Sequence, residues 1–387
     1  MIGFGSSAIF GTFTASLADR FGRKRLVQIY FLVYALNCLC IHNRAIWSII
    51  LGRILGGIAT SLLFSSFDSW FVCSHEDLSS KYLNDSFAIA GTINAATAIL
   101  AGLMSQFLVD KIPFHMGGKS DTISVSYGSS LAPFEMSFLI LFIGLILVSL
   151  IWDRVLHKSD TITTMNTTTT TTTKSFASEL IEGTRIVLQD MNIFLIGIMV
   201  STFEGAMYIW VIIWTPALEG NNDDENKPPL GLIFATFMSA GMLGSQCFAL
   251  LSKRIRMEIM LALIFSFSFV SMILPAFVTN TRIRFLCFFA FEFCVGMWWP
   301  ASSSFKGKLI KEPTRASVYS VFRVPMNLIV ILVLLSSLSL RVTFFVCSAL
   351  LFSGIVASLM LCHRRRAVSF VKKSTTTTLD PLLSSTV

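Results

Sequence analysis

Read for its hydrophobic pattern, the chain alternates long apolar runs with short polar breaks. The runs extend from about Ile2 to Ala18, Leu26 to Ile41, Ala45 to Cys73, Phe87 to Val109 and Leu131 to Trp152. After a long polar gap come Asn192 to Leu218, Leu230 to Ser252, Met257 to Val278, Ile283 to Phe305, Val318 to Leu340 and Val342 to Cys362. Most are near the roughly twenty residues that a helix rising ~1.5 Å per residue needs to cross a ~30 Å hydrocarbon layer. A spanning β-barrel would instead show alternating stretches of about ten residues. In lipid the backbone must satisfy its own hydrogen bonds, so the pattern predicts an all-α integral membrane protein with about eleven transmembrane helices.

Composition agrees: the chain is 54% hydrophobic and 13% charged, against roughly 25% charged in soluble domains. The net charge of +8 does not point to nucleic acid, because the cations lie in short loops between spans. One set of alternate loops comprises Asp19 to Arg25, Ser74 to Asp85, Asp153 to Met191, Lys253 to Arg256, Lys306 to Arg315 and the tail after Cys362. It holds 21 of the 30 Lys and Arg residues, and the opposite set holds seven. The positive-inside rule makes the first set cytoplasmic, which puts the carboxyl terminus inside and the amino terminus outside. The tail cluster Arg364, Arg365, Arg366, Lys372 and Lys373 suits attraction to anionic lipid.

Other chemistry is sparse. The eight cysteines fall in or beside apolar runs without a CxxC pair, so they read as packing residues, and no metal or cofactor is expected. The first run has no basic region before it, so no cleavable signal peptide is expected. Gly118-Lys119-Ser120 resembles the end of a phosphate loop, but Pro113 stands where the first glycine is required. No soluble stretch is large enough for an enzyme. The chain therefore divides into a first bundle at 1–152, a cytoplasmic linker at 153–191, a second bundle at 192–362 and a cytoplasmic tail at 363–387. Within the linker, the low-complexity run Thr167 to Thr173 cannot build a core and reads as flexible.

The first run ends in Ala15-Ser16-Leu17-Ala18-Asp19-Arg20-Phe21-Gly22-Arg23-Lys24-Arg25. This stretch resembles the signature loop of the major facilitator superfamily, Gly-x-Leu-Ala-Asp-x-x-Gly-Arg-Lys, with Ala15 in place of the first glycine. The resemblance implies two pseudo-symmetric six-helix bundles and a conformational role for Asp19, Arg20, Gly22, Arg23, Lys24 and Asp68. In that superfamily the loop joins the second and third of twelve helices; here it follows the first run. A weaker counterpart, Gly244 through Lys253-Arg254-Ile255-Arg256, follows the seventh run, as a six-helix repeat demands. The second half then counts six spans and the first half five. The simplest account is that the family's first helix is absent from this sequence, by truncation, a misplaced start or real loss.

Ionisable groups inside spans cost roughly 2.5–3.5 kcal/mol each on insertion scales, so they face a cavity or a partner. Here they are Arg53, Asp68, Glu204, Glu292 and Arg323. Ser201, Glu204, Tyr208 and Thr215 recur at helical spacing, as do Glu292, Gly296, Trp299 and Ser303, and the two stripes are expected to line one cavity. Glu204 lies roughly 18 Å along its helix, near the midplane, and is a candidate to bind and release a proton. Arg53 precedes Gly56 and Gly57, which allow a close helix crossing. Arg323 lies nearer the cytoplasmic end, where its stem can snorkel.

Longer strings resemble the molybdate-anion transporter family. They are Gly52-Arg53 through Asp68-Ser69-Trp70, Ala132-Pro133-Phe134, Phe203-Glu204-Gly205-Ala206-Met207-Tyr208 with Trp214-Thr215-Pro216, and Ile233-Phe234-Ala235-Thr236-Phe237-Met238. Phe291-Glu292 with Gly296 and Trp299-Pro300, and Phe322-Arg323-Val324-Pro325-Met326-Asn327, complete the set. Asp68 stands where glutamate is expected. The resemblance implies a secondary importer of molybdate or a similar oxyanion, working by alternating access in the plasma membrane, with a proton as possible co-substrate. An oxyanion needs charge-assisted donors, and Arg53 foremost, with Tyr208, Arg323 and Asn327, are the candidates; Glu204, Glu292 and Trp299 complete the expected binding set. Another solute (sulfate, a sugar or an organic anion) and a non-transporting sensor or scaffold are the alternatives. On this topology, cysteine accessibility mapping finds the Gly22 turn and the Lys253 turn on the same face of the membrane.

Overall fold

The computed structural model describes residues 2–7, 9–10, 23–74, 83–117, 125–156, 176–219, 228–310 and 312–383. After a helical segment over 2–7, the first half has helices α1 (Arg23–Cys40), α2 (Ile46–Ser74), α3 (Leu83–Lys111) and α4 (Ala132–Leu156). A short helix α5 (Phe176–Gln189) leads into the second half, which consists of α6 (Met191–Glu219), α7 (Leu230–Leu251), α8 (Met257–Phe277), α9 (Thr281–Leu309), α10 (Glu312–Leu335) and α11 (Leu340–Leu383). Among the described residues, nine helices are long and apolar enough to cross a membrane. They match the expected runs from Ala45 onward closely. Helix α1 covers the expected Leu26 to Ile41 run but stands outside that set, because its 18 residues open on Arg23, Lys24 and Arg25. Most of the first expected run, and Asp19, Arg20 and Gly22 after it, lie outside the described residues.

Three features add to the sequence reading. The linker is not wholly irregular: α5 occupies its last third, while Thr167 to Thr173 lie outside the described residues. Helix α11 runs on from the last span, which ends at Arg365, through the expected tail to Leu383. The loop after α3 contains a hairpin of β1 (His115–Gly117) and β2 (Val125–Tyr127), paired antiparallel. The turn after β2 needs Gly128 for its positive φ of 82°, and a Cβ there would collide with the Pro113 carbonyl oxygen. Glu135 at the start of α4 holds this cap, accepting from Gly128 N at 2.8 Å with His42 Nε2 at 3.5 Å.

The two halves repeat one packing scheme. In the first, α1 packs on α2 and on α4, and the 2–7 helix packs on α2. In the second, α8 packs on α9 and on α11, and α7 packs on α9. Each pair in the second half matches the pair six spans earlier, as a repeat requires. Helix α6 is the exception. It packs against α9, α10 and α11, and no helix stands in the matching position among the described residues of the first half.

The crossings are close because glycines remove the intervening side chains. Gly57 of α2 meets Gly3, Ser6 and Ser7, while Gly241 and Gly296 meet backbone to backbone where α7 crosses α9. The halves are joined along a seam between α3 and α7. Gly102 lies against Gly231 at one end and Gly91 against Ser245 at the other. Gln106 accepts from Gly231 N at 3.1 Å, and Gln246 bonds Thr92. Behind α6, aromatic rings fill the second half: Phe203 stacks on Trp298 at 4.3 Å, and Trp210 packs on Phe237 and Phe291.

The Gly241–Gly296 crossing has no room for a side chain. Overpacking typically costs about 1–3 kcal/mol, and Gly296→Leu is expected to lower the thermal melting temperature of the detergent-solubilised protein by several degrees or prevent folding. Gly307→Ala, where an added Cβ meets nothing within 4 Å, leaves it unchanged.

Candidate functional site

Helix α6 presents Gly197, Ser201 and Gly205 at steps of four to α10. Phe322 fills the space over Gly197, and Ile329 lies over Gly205. Ser201 Oγ donates to the Phe322 carbonyl at 2.9 Å. This contact fixes the register of α6 against α10 and brings Arg323, the residue after Phe322, to the Glu204–Tyr208 turn. Tyr208 lies in the electrostatic field of both Glu204 and Arg323. Glu204 is buried, and Tyr208 and Arg323 are half-buried.

Two consequences follow from this register. Arg323 stands toward the start of its span, six residues after Ser317, and Gly205 already faces Ile329, six residues beyond Arg323, so the side chain reaches toward Glu204 from below. Measured along their spans, Arg323 is roughly 9 Å from Ser317 and Glu204 roughly 20 Å from Met191. The first half also reaches the cluster: the Phe4 ring meets Tyr208 edge-on at 5.5 Å. Glu204, Tyr208 and Arg323 therefore stand where the two halves touch.

Asn327, one turn beyond Arg323, is 3% exposed and makes no hydrogen bond among the described residues. Its amide can both donate and accept.

The remaining candidates lie elsewhere. Arg53 is exposed on α2, with no ion pair among the described residues. Its backbone faces Gly3, so the α2 crossing positions its helix, not its guanidinium. Asp68 falls within α2, but its side chain lies outside those described. Arg23 and Lys24 are the first two residues of α1.

The second stripe behaves differently from its expectation of lining a cavity with the first. Gly296 packs on Gly241, and Glu292 sits beside Gly241 in the α7–α9 contact, buried and without a hydrogen bond or ion pair among the described residues. Trp299 is half-buried against the aromatic core. The stripe is thus largely a helix seam, because the glycine that gave it helical spacing is there for close approach.

Two features were not anticipated. On α3, Ala90, Asn94, Thr97 and Ala101 form an exposed stripe beside the seam with α7; their steps of four, three and four in the sequence carried that signal. At the other end of the second half, the loop that echoes the Gly22 turn closes on an ion pair. Arg365 Nη1 of α11 lies 2.6 Å from Glu258 Oε1 of α8 and stacks over Phe305 of α9 at 5.2 Å, with Arg256 at 3.6 Å from Glu258.

Comparison with known proteins adds to this geometry. Residues 1–295 match a major facilitator superfamily profile described as sugar transporters with 12 transmembrane segments. The molybdate-anion transporter of Takifugu rubripes is 30% identical over 355 residues, which cover 86% of this chain and 70% of the relative. That of Xenopus tropicalis is 29% identical over 338 residues, covering 84% and 68%. Among solved structures, the partially occluded, inward-open xylose transporter of E. coli superposes with a TM-score of 0.64. It is 12% identical, with 94% of this chain and 85% of that one covered, a likeness of fold alone.

If Glu204 and Arg323 offset each other across Tyr208, removing one leaves a poorly compensated charge. In a double-mutant cycle, Glu204→Gln and Arg323→Gln are each expected to lower the melting temperature. The double variant is expected to lose less than the sum, with a coupling of about 1 kcal/mol or more.

Proposed function

Since the chain belongs to the molybdate-anion transporter family of the major facilitator superfamily, we propose that it carries molybdate, or an oxyanion of the same charge and shape, across the plasma membrane by alternating access of its two halves. The observation that carries this reading is the meeting of Glu204, Tyr208 and Arg323 at the contact between halves. A tetrahedral dianion gives up its hydration only to charge-assisted and neutral donors held in place. Arg323 supplies the cation, the Tyr208 hydroxyl and the Asn327 amide supply neutral donors, and Ser201 holds α10 in register.

Glu204 gives this site a means of coupling. At ~6 Å and an effective dielectric of ~20, an ionised carboxylate repels a dianion by roughly 5 kcal/mol. Protonation of Glu204 removes that repulsion, so anion and proton enter together and leave together. Rocking of one half on the other then exposes the loaded site to the opposite side. The excess of cations in the loop joining α7 to α8, around the α9–α10 junction and in the distal part of α11 supports a cytoplasmic location for that side.

Arg53 is a second cation for the anion's path. Its exposure on α2 suits an approach site better than the closed site, and Asn94 and Thr97 on α3 add neutral groups along the way.

Uptake of labelled molybdate into vesicles containing the purified chain is the test. The wild type is expected to take up molybdate faster as external pH falls. Glu204→Gln, permanently neutral, is expected to lose that pH dependence, and Arg323→Gln to raise the KM at least tenfold. Retained pH dependence in Glu204→Gln removes the coupling role. Stronger competition by sulfate or xylose than by unlabelled molybdate reassigns the substrate, and tight binding without flux indicates a sensor.

A further inference from the structure

Helix α5 is gripped on one side and bare on the other. On the inner side Gly183 meets the Ser317 backbone of α10, where a Cβ would lie 2.8 Å from the carbonyl oxygen, and Val187 is buried. On the outer side Ile181 and Leu188, two helical turns apart, are 68% and 69% exposed. Together with Thr184, Arg185 and Gln189 they line a shallow depression. Arg185 lies between the two aliphatic side chains and makes no ion pair or hydrogen bond among the described residues.

The position of this face narrows what can cover it. Asp190 alone separates α5 from the spanning helix α6, so the depression lies at the level where hydrocarbon gives way to headgroups. A helix with aliphatic side chains and a cation on one face suits an amphiphile: the aliphatic groups take acyl chain, and the guanidinium takes phosphate in a bidentate grip. The cationic loops on the same side of the membrane place it on the leaflet where anionic lipids are concentrated. Neither a sugar nor a free inorganic anion would use Ile181 and Leu188.

We propose that the Ile181–Arg185–Leu188 face of α5 is a binding site for one anionic phospholipid. The acyl chain lies over Ile181 and Leu188, and the phosphate is held by Arg185. Because the inner side of α5 rests on α10, the bound lipid fixes the linker helix against the helix that carries Arg323. The inference is independent of which solute is carried.

The test uses the full chain in lipid nanodiscs, with a fluorescent amino acid introduced at position 188. Brominated phosphatidylserine is expected to quench the probe at least threefold more than brominated phosphatidylcholine at equal total bromine. Arg185→Gln is expected to abolish the difference, and Arg185→Lys to restore part of it. Millimolar glycerol phosphate leaves the quenching unchanged. Equal quenching by the two lipids, or a preference that survives Arg185→Gln, overturns the proposal; so does displacement by glycerol phosphate, which would mark a free-anion site. A probe at position 181 repeats the measurement should the label at 188 disturb folding.

Discussion

The close approach of helix backbones governs this molecule. Lipid tails are as apolar as leucine, so two helices in a bilayer gain little by hiding aliphatic side chains from their surroundings. What remains is van der Waals contact, and that grows when backbones come together. Gly57 against the 2–7 helix, Gly241 against Gly296, and Gly102 against Gly231 provide this in the first half, in the second half and between them. The polar cluster is built differently. Along α6, Gly197 and Gly205 receive the side chains of Phe322 and Ile329, not another backbone. The α6–α10 contact is thus spaced by side chains, which leaves width for Glu204, Tyr208 and Arg323.

The placement of charge follows from the same economy. A carboxylate and a guanidinium that both act on one tyrosine bring opposite charge to a place where the dielectric is low. They sit where Phe4 crosses from the first half, so any relative movement of the halves changes their surroundings. The aromatic stack of Phe203 and Trp298 sits behind them as a rigid wall. At one end of the second half Glu258 and Arg365 tie three helices together, while Glu135 closes the hairpin cap of the first half.

Hydropathy made most of the fold legible, because in a membrane the solvent itself demands long apolar helices. The run from Asn192 to Leu218 matches α6 (Met191–Glu219) to within a residue at each end. Glu204 and Tyr208 were visible as polar residues at helical spacing. Arg323 entered the expected set through resemblance, while the α6–α10 register that sets it near Tyr208 needed the Ser201 contact to be seen. Spacing also misled at Gly296. A helical period shows that residues share a face, but not whether that face meets a cavity or another backbone. Helix α5 escaped because its two exposed aliphatic side chains, set among charged residues beside a threonine tract, are too few to mark a span.

The halves differ in how much of themselves they enclose. Across the 18-residue apolar window within Ser129–Ile151 only 6% of positions are buried within the protein, whereas across the corresponding window within Met191–Glu219 the share is 78%. Helix α4 therefore answers chiefly to the lipid, which accepts leucine, isoleucine or phenylalanine with near indifference. Helix α6 answers to fixed neighbours on almost every side. Inherited variation among apolar residues should thus accumulate freely along α4, while the same exchange in α6 would alter shape at a place where nothing can yield.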